Sequence, residues 1–167
     1  MEKISVRNAT NSDVNLLYLM ANENPPLDLH TLYTYWIICN HYSDTTLVLE
    51  VDGKPEAFAS AITTPNCIFF WQLAVNKEFR GQGFPVVLME KLCEIAKKKN
   101  LDVQLTISPD NQESYKCLSK FCNYKGYKFE YIGKCVLNNP LNKNNSHSET
   151  IENVYAIKLL EGDVLND

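Results

Sequence analysis

The chain has 167 residues, 45% of them hydrophobic and 22% charged, with a formal net charge of −4. That length suits one globular domain burying roughly 70% of its unfolded surface, and the composition excludes a disordered chain. The acidic balance argues against non-specific nucleic-acid binding, which draws on a basic surface, and the longest apolar runs, around residues 35–39 and 67–71, are too short to cross a bilayer.

No basic start followed by an apolar stretch marks a leader, so a cytoplasmic location is expected. Residues 3–7 alternate apolar and polar side chains, as a half-buried strand does. Asn11 or Ser12 is placed to cap a helix with Asp13 in its first turn and Val14, Leu16, Leu17 and Met20 on its apolar face; Asn24-Pro25-Pro26 stops it. Residues 30–40 read as a second helix. Residues 45–51 and 56–63 read as strands joined by an Asp52-Gly53 turn, and Thr64-Pro65-Asn66 turns into the strand Cys67–Val75. After Arg80-Gly81-Gln82-Gly83, Leu88, Leu92, Ile95 and Ala96 keep helical spacing, and the lysines at 97–99 suit the negative C-terminal end. Residues 103–107 form a strand, Ser108-Pro109-Asp110-Asn111 opens a helix to about residue 123, and residues 127–135 form another strand. An Asn-rich loop covers 138–148 and a last strand 154–160. The expected architecture is a single α+β (three-layer α/β) domain over 1–160, a mixed central sheet with helices on both faces, and a polar tail over 161–167.

The six cysteines, Cys39, Cys67, Cys93, Cys117, Cys122 and Cys135, are scattered without CxxC spacing or clustered histidines. They are expected to be reduced core residues, with no metal.

Arg80-Gly81-Gln82-Gly83 lies between an apolar strand and an amphipathic helix. Glycines there let backbone N–H groups converge on an anion, and the helix N-terminus adds partial positive charge. Such a turn is also common as plain structure. It is no Walker loop, and it lacks the third glycine of a dinucleotide fingerprint, so ATP and NAD are the weaker ligands.

The strand ending Leu73-Ala74-Val75-Asn76, followed by Arg80-Gly81-Gln82-Gly83 and a helix, resembles the acetyl-CoA motif of the GNAT N-acyltransferases, Arg/Gln-x-x-Gly-x-Gly/Ala. Ser108-Pro109-Asp110-Asn111 is similar to that family's second CoA segment. The resemblance implies the GNAT fold, in which the fourth and fifth strands splay and the pantetheine arm of acetyl-CoA enters between them. It implies cofactor contacts at Leu73, Ala74, Val75, Arg80, Gly81, Gln82, Gly83, Phe84, Asn111 and Ser114. Pro85 fills the last Gly/Ala position and has no N–H, so one phosphate contact is expected to be missing. Leu118 stands where many members carry a thiolate-protonating Tyr; Tyr115 is one turn away.

Residues 26–35, 39–45, 69–75 and 106–114 are further similar to the GNAT subfamily that acetylates L-2,4-diaminobutyrate in ectoine biosynthesis. That similarity implies acetyl transfer to the N4 amine, with Asp28, Tyr33, Tyr35, Trp71, His147 and Glu152 around the substrate and Asp28, His147 and Glu149 as candidate catalytic groups. It also implies a homodimer. Plainer roles stand beside these. Tyr35 and Trp71 suit a core, Asp28 suits the cap of a helix starting at His30, and His147 suits solvent. Other amines (a polyamine, an aminoglycoside, another diamino acid) or a non-catalytic acyl-CoA sensor stay open alternatives.

Overall fold

The computed structural model describes residues 3–25, 27–138 and 149–159. The strand, helix pair and meander expected from the first third are present: β1 (Ile4–Asn8), α1 (Val14–Asn22), α2 (Leu32–His41), β2 (Leu47–Val51), β3 (Lys54–Thr63) and β4 (Cys67–Val75). Then follow α3 (Phe84–Lys98), β5 (Asp102–Ile107), α4 (Gln112–Lys125), β6 (Lys128–Asn138) and β7 (Glu149–Lys158). The seven strands make one mixed sheet in the order β1-β2-β3-β4-β5-β7-β6. Every neighbouring pair is antiparallel except β4 and β5, which the α3 crossover makes parallel.

The strand alternation of the sequence becomes two cores. On one face α3 and α4 cover Leu47, Leu49, Ala59, Ile68, Val103, Leu105 and Ile157. On the other, α1 and α2 pack Leu17, Met20, Tyr35, Ile38 and Cys39 against Val48, Phe58 and Ala74. Helices on both faces give the three layers the patterning calls for.

Several boundaries differ from the sequence expectation. The first helical turn, Asn11–Asp13, is capped by Thr10 rather than by Asn11 or Ser12, because Asp13 reaches back to the Thr10 N–H at 2.7 Å. Helix α2 begins at Leu32 and its cap is Thr31, whose hydroxyl accepts from the Thr34 N–H at 3.2 Å; Asp28 is therefore not the cap. Strand β6 runs on to Asn138 and β7 begins at Glu149, since backbone pairing carries the hairpin past the polar residues that look like loop. Residues 139–148 and 160–167, which hold His147 and the expected tail, lie outside the described residues. Cys39, Cys67, Cys93 and Cys122 are buried as expected, but Cys117 is exposed and Cys135 half-exposed: α4 and β6 turn those positions outward.

Candidate active site

Strand β4 positions the site. Its pairing with β5 covers only Cys67–Phe70 against Asp102–Leu105. Beyond Phe70 the two strands part, leaving a wedge-shaped opening in the middle of the sheet, the splay expected of strands four and five. At the same point β4 carries a bulge against β3: Ser60 faces Gln72 and Ala61 faces Phe70, so Trp71 is the extra residue. A bulge re-aims side chains that strict alternation would send to opposite faces. Phe70, Leu73 and Val75 pack with the α3–α4 core. Trp71 and Ala74 pack with the α1–α2 core, and Gln72 bonds Tyr35 there.

On the α3–α4 side the wedge opens into an apolar cleft lined by Phe70, Leu73, Pro85, Met89, Ser114 and Leu118. The phosphate loop stands at its end. Gly81 and Gly83 have φ of +79° and +82°, the left-handed region that side chains disfavour, and Gly83 is the N-cap of α3. Their conformation presents the loop amides at a helix N-terminus, where a pyrophosphate is held. The Arg80 guanidinium is tied to Asn24 Oδ1 at 2.7 Å, which anchors the loop to the end of α1. Pro85 occupies the first turn, compatible with helix geometry but giving no N–H. Phe84 is buried in the core with its ring on Phe79, so only its backbone is available to a ligand. Asn111 caps α4 by accepting from the Ser114 N–H at 3.1 Å. An apolar channel ending at an amide-lined helix start fits a pantetheine arm and its pyrophosphate.

On the α1–α2 side the wedge meets a different chemistry. Asp28 is exposed on the segment before α2, and its charge reaches Glu152 on β7. Glu152 also bonds the side chain of Thr106 on β5. Burial, and then the Asp28 charge, push the Glu152 carboxyl above the ordinary glutamate range; the Thr106 bond opposes them. Trp71 is half-buried with the His30 ring 4.6 Å from its own. Two carboxylates and an indole on this side of the sheet are the kinds of group that attract a cation.

The two tyrosines expected at the substrate diverge because α2 turns about 100° per residue. Tyr35 is fully buried, its hydroxyl donating to Gln72 Oε1 at 3.1 Å, so it supports the site and does not line it. Tyr33 is 68% exposed and stacked on Trp36. Glu149 opens β7 opposite Asn138, at the hairpin end remote from β5, whereas Glu152 lies next to the β5-paired stretch. Leu118 lines the cleft, and Tyr115 joins an aromatic cluster with Phe129 and Tyr155. Gln72, Thr106 and His30 have no place in the sequence expectation of the site. Gln72 had a signal, as the one polar residue inside the apolar run Cys67–Val75; Thr106 and His30 had none beyond their neighbours.

The Acetyltransferase (GNAT) family model matches residues 14–124, the span from α1 to the end of α4. The chain belongs to the GNAT acetyltransferase family. It is 30% identical over 120 residues to the L-2,4-diaminobutyric acid acetyltransferase of Bordetella parapertussis, a match covering 69% of this chain and 64% of that one. With the protein of the same name from Streptomyces coelicolor it shares 28% over 125 residues, covering 71% and 74%. The chain thus spans about two thirds of the curated relatives' length. Its fold matches the diaminobutyrate acetyltransferase EctA of Paenibacillus lautus, solved with its substrate L-2,4-diaminobutyric acid and coenzyme A, at a TM-score of 0.76 and 19% identity over 96% of this chain and 98% of that one. The apolar cleft and the glycine loop described above stand beside the wedge between β4 and β5.

Proposed function

We propose that this GNAT protein transfers the acetyl group of acetyl-CoA to the side-chain (N4) amine of L-2,4-diaminobutyrate. The observation that supports the reading is an apolar cleft on one face of the sheet, with Asp28, Glu152 and Trp71 on the other and the β4–β5 wedge between them. The names of the relatives supply the substrate; the carboxylates and indole supply the charge and the aromatic face that a diamino acid needs.

The steps follow from the amine. An alkyl ammonium has a pKa of about 10 and must lose a proton before its nitrogen can attack. Asp28 and Trp71 hold the cation, and Glu152, whose raised proton affinity suits a base, accepts the proton directly or through water. The nitrogen then adds to the thioester carbonyl and gives its second proton to water, the C–S bond breaks, and the sulfur leaves as thiolate. Leu118 has no proton to give it. Backbone N–H groups of β4 beyond Phe70, where the pairing with β5 ends, are the donors for the oxyanion. A homodimer goes with this reading: the cross-strand pair Val136 and Ile151 on the β6–β7 hairpin is 39% and 37% exposed, apolar surface that a second copy would cover.

The test is thiol release from acetyl-CoA with a panel of L-2,4-diaminobutyrate, 2,3-diaminopropionate, ornithine, spermidine and an aminoglycoside, the acetyl position being read by product mass and NMR. Preferred N4 acetylation of diaminobutyrate is expected. Faster turnover of another panel member would defeat the substrate assignment, and CoA binding without turnover of any amine would point to a sensor.

A further inference from the structure

Asp28 and His30 lie between Pro25 and α2, in neither helix nor strand. An unsupported segment of this kind would sample many positions, and holding each residue in one costs about 1–2 kcal/mol. Something must fix the carboxylate and the His30 ring relative to Trp71.

Three contacts do so. The Tyr35 hydroxyl, on a side chain with no exposed surface, donates to Gln72 Oε1 at 3.1 Å. Gln72, itself 2% exposed, donates from Nε2 to the main-chain carbonyl of Asp28 at 2.6 Å. The main-chain N–H of His30 faces the same Tyr35 hydroxyl. The amide of Gln72 can sit only one way round, because the Asp28 carbonyl accepts and cannot donate. A buried glutamine is costly unless its amide is bonded, and here both its oxygen and its nitrogen are used. A leucine would pack as well against α2, so burial alone gives no reason for an amide at this position. Phenylalanine would likewise fill the Tyr35 site; only the hydroxyl reaches Gln72. The bulge completes the arrangement, since it turns Gln72 and Trp71 toward the same face.

We propose that Tyr35 and Gln72 are positioning residues for the amine: a buried relay from α2 through β4 that sets where the Asp28–His30 segment stands. The inference rests on the reading of Asp28 as an amine ligand. It adds to that reading two residues that touch neither the amine nor acetyl-CoA.

The experiment compares the wild type, Tyr35→Phe, Gln72→Met, Asp28→Asn and the Tyr35→Phe/Asp28→Asn double variant, using the amine that the wild type acetylates fastest. Both KM values, kcat, the melting temperature and the hydrogen-exchange rate of the His30 amide are read. Tyr35→Phe should raise the amine KM about fivefold to tenfold, the change one buried hydrogen bond supports, and leave kcat and the acetyl-CoA KM within about twofold. It should speed exchange at His30 about tenfold, and it should add nothing to the amine KM in the Asp28→Asn background. Gln72→Met should act in the same direction, and Tyr35→Phe carries the test alone if that variant does not fold. A Tyr35→Phe effect that persists in full beside Asp28→Asn, an equal loss in both KM values, or an unchanged His30 exchange rate overturns the relay. An Asp28→Asn variant with wild-type amine KM defeats the reading of Asp28 as an amine ligand instead, and the relay's role with it. If no amine is turned over, that reading fails and the exchange rate alone decides whether the relay exists.

Discussion

Asp28 matters to Glu152 because its negative charge alters how tightly the second carboxyl holds a proton. The Asp28 charge adds to burial in holding the Glu152 proton, so the acid limb of kcat/KM for the amine should lie above the ordinary carboxylate range. Removing that charge removes the upward push. Asp28→Asn should therefore move the limb to lower pH, while lowering kcat/KM about tenfold to a hundredfold, as expected for one charge-assisted contact. A pH–rate series on both proteins checks it; an unmoved limb would separate the two carboxylates. Pro85 gives a second prediction. Substituting Pro85→Ala restores an N–H in the first turn of α3 and should tighten CoA binding about threefold to tenfold by calorimetry. Single positions were legible in the sequence where backbone chemistry dictates them: the glycines of the phosphate loop and Pro85 stand where their φ values and missing donor require. Tyr35 and Gln72 were not legible as a pair, because 37 residues separate them and only packing brings them together.

Elements carry the stability of the same region. Arg7 on β1 forks onto Asp13 with bonds of 2.8 and 2.9 Å and reaches Glu50 on β2 at 2.6 Å, tying the helix pair to the sheet edge. Burial pushes the Asp13 carboxyl upward, but the bonds from Arg7 and Thr10 outweigh it and hold it below its ordinary range. A carboxyl lowered in the folded state stabilises above its unfolded pKa and loses that contribution as the pH falls through its folded pKa. Asp13→Asn should cost about 2 kcal/mol near neutral pH, less than a wholly buried pair because the Arg7 side chain is 36% exposed. Denaturant melts should show the difference from wild type shrinking as the pH is lowered into the acid range. The elements themselves were largely readable. Strand β4 runs over the nine residues its apolar content marks, and α3 starts directly after Gly83. The β6–β7 hairpin was not readable to its full length, since pairing between Leu137–Asn138 and Glu149–Thr150 depends on partner backbone and not on apolar alternation.

At the scale of the molecule, the sheet separates two binding tasks and then opens a passage between them. The α3–α4 face offers glycine amides and an apolar cleft, and the α1–α2 face offers carboxylates and an indole. Periodicity predicts that helices cover both faces. It does not predict the bulge at Trp71 or the end of β4–β5 pairing at Phe70, which are properties of strand register. The most direct measurement of this division is an NMR titration of the two tryptophan indole N–H signals, assigned with Trp36→Phe. Diaminobutyrate should shift the Trp71 signal and leave Trp36, on the outer side of α2, in place. A silent Trp71, or a shift at Trp36 alone, would contradict an amine site on this face of the sheet.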